Sequence, residues 1–134
     1  MIQALYAWES GAGQDLGRVA EHVWDDLAVT AEEREYAGRI LRFLLSRQAE
    51  IDRAIRDVTT NWRPDRIGVI ERCVLRAAAA ELALQRAQAP GDRDAPPRVI
   101  LQEAVLLAER FGSAESARFV NGVLDAMARQ QGDL

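Results

Sequence analysis

Apolar residues in this chain recur at spacings of three and four, and no segment reads as a strand. That period places them on one face of an α-helix. The stretch RFVNGVLD at 118–125 tests the pattern. Asn-Gly is a hairpin signal when alternating apolar residues flank it. Here Phe119, Val120, Val123, Leu124 and Met127 keep the helical spacing instead. A glycine inside a helix costs about 1 kcal/mol relative to alanine, so Gly122 needs a reason. The expected reason is packing. Gly122 and Ala126, four residues apart, would let another helix approach closely, and Asn121 would turn inward to bridge backbone groups of a neighbouring segment.

Five or six helices follow from the same period. Ile2, Leu5, Tyr6 and Trp8 form a first stripe, ended by Gly11 and Gly13. Asp15 caps a second helix to about Leu27, with Leu16, Val19, Val23 and Leu27 inward. Thr30 and Glu33 make a capping box that opens one long helix to about Thr59. Its apolar face is Ala37, Ile40, Leu41, Leu44, Ile51, Ile55 and Val58. Pro64 forces a break by pushing Arg63 out of the helical region. Asp65 then starts a helix through Ile67, Ile70, Val74 and Leu82, and residues 86–98, rich in proline, glycine and charge, form a loop. Beyond Pro97 a helix carries Leu101, Ala104, Leu107, Ala108 and Phe111, with Gly112 as its C′ glycine. Ser113 caps the last helix. The expectation is an all-α chain forming a single domain over residues 1–134.

The chemical inventory narrows the function. At 134 residues the chain can bury one real core. Charges interrupt every apolar run, as Arg76 and Glu81 do in CVLRAAAAELAL, so no membrane span is expected. The start MIQALYAW has no secretory-signal pattern, and a lone cysteine, Cys73, fits a reducing cytoplasm. A net charge of −4 argues against indiscriminate nucleic-acid binding. All 17 basic residues are arginine, whose fork suits phosphates and carboxylates, although base composition produces the same bias. His22 is the only histidine, and no phosphate loop, metal-ligand cluster or nucleophile motif occurs. An enzyme is not expected, nor a metal or cofactor. Arg39, Arg42, Arg53 and Arg56 fall opposite the apolar face of the long helix, as a solvated face or a phosphate-facing stripe. Glu81 lies on the apolar stripe of its helix, where a carboxylate needs donors, either in a buried anchor ion pair or from a partner.

Four segments together are specific. IQALYAWE at 2–9, IERCVLRAAAAEL at 70–82, PRVILQEAVLLAERFG at 97–112 and SARFVNGVLD at 116–125 resemble the NusB family of bacterial transcription antitermination factors, in order and near spacing. The resemblance covers almost the whole chain. It implies about six or seven helices arranged as two small bundles packed across each other. It also implies binding to single-stranded, boxA-like RNA of ribosomal RNA transcripts, together with NusE, a small-subunit ribosomal protein, in an antitermination complex with RNA polymerase. The protomer would be a monomer or homodimer. By position, the resemblance gives Tyr6 and Glu71 to NusE, and Glu115, Arg118 and Phe119 to RNA. Their chemistry agrees, since unpaired bases stack on aromatic rings and arginine takes phosphates. On that reading Asn121 and Gly122 pack inward while Arg118 and Phe119 face the ligand.

Three departures from the family pattern stand out. An arginine-rich segment expected ahead of LQALY has no counterpart, because Met1 falls where it ends. Gln102 replaces an asparagine, and the 86–98 loop is longer than usual. Two other readings stay open: the NusB-like RNA-binding domain of a ribosomal RNA cytosine methyltransferase, for which the chain leaves no Rossmann unit, and a protein-binding paralogue that has lost RNA.

Overall fold

Thr30 caps its helix as expected, through the hydroxyl half of the capping box. In the computed structural model, which describes residues 30–60, 67–93 and 95–133, the Thr30 hydroxyl accepts from the Glu33 amide at 3.2 Å. It opens α1, Ala31–Ser46, with Glu32 and Glu33 in the first turn, where the helix dipole favours acidic groups. The two helices expected before Leu27, with Tyr6 and His22, lie outside the described residues, as does the Pro64 break.

The single long helix to Thr59 is corrected to two. α1 stops at Ser46, and α2, Gln48–Val58, follows after Arg47 at φ −130° and ψ 28°. No proline or glycine is present there. Instead, the Ser46 hydroxyl donates to the Phe43 carbonyl at 2.9 Å, competing for a helix acceptor. The Arg47 amide then splits between Phe43 and Leu44, at 3.1 and 3.2 Å. The bend lets Ile40, Leu41 and Leu44 of α1 and Ile51 and Ile55 of α2 all enter the core. At its far end α2 closes on Thr59, whose hydroxyl donates to the Ile55 carbonyl at 2.8 Å.

The centre of the molecule is α3, Val69–Ala87. It packs against α1, α2, α4 (Pro97–Phe111) and α5 (Ala114–Gln130) alike. Its sequence explains why. Cys73, Val74, Leu75, Ala77, Ala78, Ala79, Ala80 and Leu82 are buried on more than one side of it, and a helix with so broad an apolar surface belongs inside. The four alanines keep it thin. The helix begins at Val69 with Gly68 as cap, not at Asp65, and Ile67 lies in a bend before it. A Cβ on Gly68 would collide with the Glu71 carboxylate, which folds back over the helix start.

Residues 88–96, rather than 86–98, separate α3 from α4, with a 3₁₀ turn at Pro90–Asp92. α4 and α5 then form the most extensive helix pair. Ile100, Leu101, Ala104 and Ala108 face Val120, Val123, Leu124 and Met127 within one apolar cluster. Gly112 joins them, but not as a left-handed C′ residue: its φ is −118°. Glycine is needed there for space, since a Cβ would lie 2.6 Å from the Ser116 hydroxyl and 2.8 Å from the Ala108 carbonyl oxygen. The left-handed glycine is Gly132, at φ 80°. Around it, the Asp133 amide reaches the Ala128 carbonyl at 2.8 Å and the Gly132 amide that of Arg129 at 3.2 Å, a Schellman ending for α5.

Glu81 is buried, as its position on the apolar stripe implies. Its donor on α1 is the hydroxyl of Tyr36, which sequence reading passed over. Among the described residues the fold is all-α, without a strand, and no helix is long and apolar enough to cross a membrane.

Candidate nucleic-acid and partner interface

The start of α5 gathers the expected ligand residues. Ser113 is its N-cap, with an extended backbone and a hydroxyl accepting from the Ser116 amide at 3.1 Å. Glu115, Arg118 and Phe119 follow at spacings of three and four, so they share one face of the first two turns. Glu115 and Arg118 are exposed, while Phe119 is half-buried, its ring packed against the core. Among the described residues no hydrogen bond or ion pair engages the Arg118 guanidinium. A half-buried aromatic ring beside a guanidinium with no partner among the described residues can offer stacking and a phosphate contact at once.

Glu71 reaches the same end of α5 from another helix. Half-buried in the first turn of α3, it accepts a hydrogen bond from the Ser116 hydroxyl at 2.8 Å. The Ser113 and Ser116 hydroxyls lie 3.2 Å apart. A carboxylate only accepts, so the Ser116 proton points to Glu71 and the Ser113 proton to Ser116. The resulting chain, Ser113 to Ser116 to Glu71, joins the cap of α5 to the start of α3. Gly112 makes room for it. Ser116 is the residue that sequence reading missed here. Its signal was its place three residues after an N-cap serine, on the buried side of the helix.

Not every expectation holds. Asn121, Gly122 and Ala126 are exposed, and beyond its chain neighbours and the adjoining helix backbone no described atom lies within 4 Å of a Cβ built on Gly122. The inward packing expected of Asn121 and Gly122 is therefore corrected. Val120, Val123 and Leu124 supply the buried face, and Asn-Gly lies on the other side of the helix. Asn121 instead lines a groove of about 720 Å³ between α4 and α5, with Arg98, Gln102, Asp125 and Arg129 on its polar rim. Among the described residues, none of the expected site residues lines it. The arginine stripe is also broken up: the bend at Arg47 separates Arg39 and Arg42 from Arg53 and Arg56, and Arg39 lies 5.5 Å over the Tyr36 ring. Tyr6 lies outside the described residues. Among those described, no group of three His, Cys, Asp or Glu side chains could hold a metal ion.

Known proteins resemble the chain in sequence and in fold. The family model described as "NusB family" matches residues 1–129. A transcription antitermination protein NusB of Sorangium cellulosum is 41% identical over 131 residues, 98% of this chain and 88% of that protein. That of Anaeromyxobacter dehalogenans is 34% identical over 128 residues, covering 95% and 84% respectively. Among solved structures, the antitermination factors NusB and NusE in complex with double-stranded RNA contain a chain that superposes with a TM-score of 0.82 at 25% identity, covering 96% of this chain and 90% of that one. The solution structure of NusB from Aquifex aeolicus gives 0.75 at 26% identity, over 96% and 82%.

Proposed function

Because the chain belongs to the NusB family, we propose that it is a transcription antitermination factor of the bacterial cytoplasm, binding RNA together with NusE. The RNA is the boxA element of ribosomal RNA transcripts, taken as a single strand, within the antitermination complex on RNA polymerase. Residues 1–134 act as one NusB-type domain. Glu115, Arg118 and Phe119 hold the RNA, and Tyr6 and Glu71 meet NusE.

One observation carries this reading. The RNA residues lie on a single face at the start of α5, and Glu71 is hydrogen-bonded to that same turn through Ser116. A partner seated at Glu71 would therefore adjoin RNA on α5, as a joint surface requires. The relatives in Sorangium and Anaeromyxobacter are antitermination proteins, which favours this reading over a methyltransferase domain.

Calorimetric titration with NusE, and fluorescence anisotropy with labelled boxA RNA as single and double strand, test the proposal. The expected results are a one-to-one complex, tighter binding of the single strand, and higher RNA affinity when NusE is present. Binding to neither overturns the function. Binding to NusE alone identifies the protein-binding paralogue, and a preference for the duplex overturns the single-strand assignment.

A further inference from the structure

We propose that Ser116 is a positioning residue that couples the two ligands, by tying the Glu71 carboxylate to the turn that presents Glu115, Arg118 and Phe119. This rests on the function proposed above.

The geometry is specific. Ser116 is 7% exposed, so its hydroxyl is reserved for protein partners. Its backbone amide goes to the Ser113 cap at 3.1 Å and its hydroxyl to Glu71 at 2.8 Å. One residue thus fixes both the helix start and the carboxylate 45 positions earlier. Hydrogen bonds in such a chain polarise one another, and a bond to a charged acceptor is stronger than a neutral one. Among the described residues, the Ser116 hydroxyl is the one hydrogen-bond donor to the Glu71 carboxylate. Fixed in advance, it loses less freedom when a partner docks. Because the fixing atom belongs to α5, occupancy on either side of the bond restrains the other. Such coupling is reciprocal by thermodynamic necessity.

The measured quantity is the ratio of RNA dissociation constants without and with saturating NusE, for the full chain and its variants. Ser116→Ala removes the donor and suits a helix, and it should lower that ratio about tenfold, the effect of losing one charge-assisted hydrogen bond. Ser116→Cys keeps a weaker donor in the same place and should give an intermediate ratio. In a Glu71→Ala background, Ser116→Ala should change the ratio no further. Circular dichroism checks that each variant is folded, because a purely structural role would lower the melting point and leave the ratio alone. An unchanged ratio in folded Ser116→Ala, or a further loss in the double variant, overturns the proposal and leaves the function standing. A ratio of one in the parent overturns the proposal and, with it, the higher RNA affinity in the presence of NusE expected above. Failure of the parent to bind RNA or NusE overturns both.

Discussion

Arg76 grips Asp52 through two parallel hydrogen bonds, Nε to Oδ1 at 2.9 Å and Nη2 to Oδ2 at 3.1 Å, joining α3 to α2 just beyond the bend at Arg47. Both side chains are largely shielded, at 16% and 31% exposure. Asp125 and Arg129 make a contact of the same length, 2.9 Å, but at 44% and 68% exposure. Shielding separates the two. Asp52→Ala should cost about 1–3 kcal/mol, because a partly buried guanidinium loses its fork-shaped acceptor. Asp125→Ala should cost less than about 0.5 kcal/mol, as exposed helix pairs do. Urea denaturation of the two variants side by side checks the difference, and equal midpoints would refute it.

Two glycines give opposite signs for one substitution. Gly112→Ala places a methyl against the Ser116 hydroxyl and the Ala108 carbonyl. It should destabilise by about 1–3 kcal/mol, the usual range for overpacking. Gly122→Ala enters open space in a helix interior. It should stabilise by about 0.5–1 kcal/mol through the lower backbone entropy of the unfolded chain. Thermal melts would then move in opposite directions, by roughly 3–5 °C for each kcal/mol in a chain of this size. A fall in the Gly122→Ala midpoint would return that residue to a packing role.

Tyr36→Phe removes the hydroxyl that donates to buried Glu81 and leaves the ring in place. A buried carboxylate losing a donor should destabilise the fold by about 1–3 kcal/mol. Glu81→Gln should be milder, since the amide oxygen still accepts from Tyr36. Chemical denaturation gives the order. A larger loss for Glu81→Gln would show that the charge matters more than the hydroxyl.

On α5, Phe119→Ala should weaken RNA binding by about 1–3 kcal/mol if a base stacks on the ring. Arg118→Ala should instead flatten the salt dependence by about 0.7 on a single strand for each phosphate that the guanidinium neutralises. A salt series with each variant separates the two effects. An unchanged slope for Arg118→Ala would show that this guanidinium meets no phosphate.

Periodicity revealed which faces are buried, because burial of Ile40, Leu44, Ile51, Val74, Val120 and Leu124 depends only on a 3.6-residue repeat. Helix ends were harder to read where their cause is a contact distant in sequence. Gly112 looks like a C′ glycine, yet its requirement comes from Ser116 packing back on the turn, and the left-handed residue is Gly132. The bend at Arg47 turns on one serine hydroxyl choosing a carbonyl, in a stretch free of helix breakers. The candidate site was half legible. Glu71 and the α5 residues came from a sequence resemblance, whereas Ser116 joins them only once α3 and α5 are adjacent in space. Asn121-Gly122 misled because its spacing permits a close helix approach that the fold does not use.

The run Ala77–Ala80 lets the neighbouring helices approach α3 closely. Those four side chains are each at most 4% exposed, on a helix enclosed from four directions. A bulkier residue in that waist would have to fill the cavity of about 140 Å³ beside Ala77 and Ala78, or else displace a neighbouring helix and carry that helix's surface residues with it. New length is accommodated elsewhere, at residues 88–93, which are largely exposed and lie between α3 and α4. A fluorescent reporter or affinity tag spliced at the Pro90–Asp92 turn would thus ride on the outside of an axle whose dimensions stay the same.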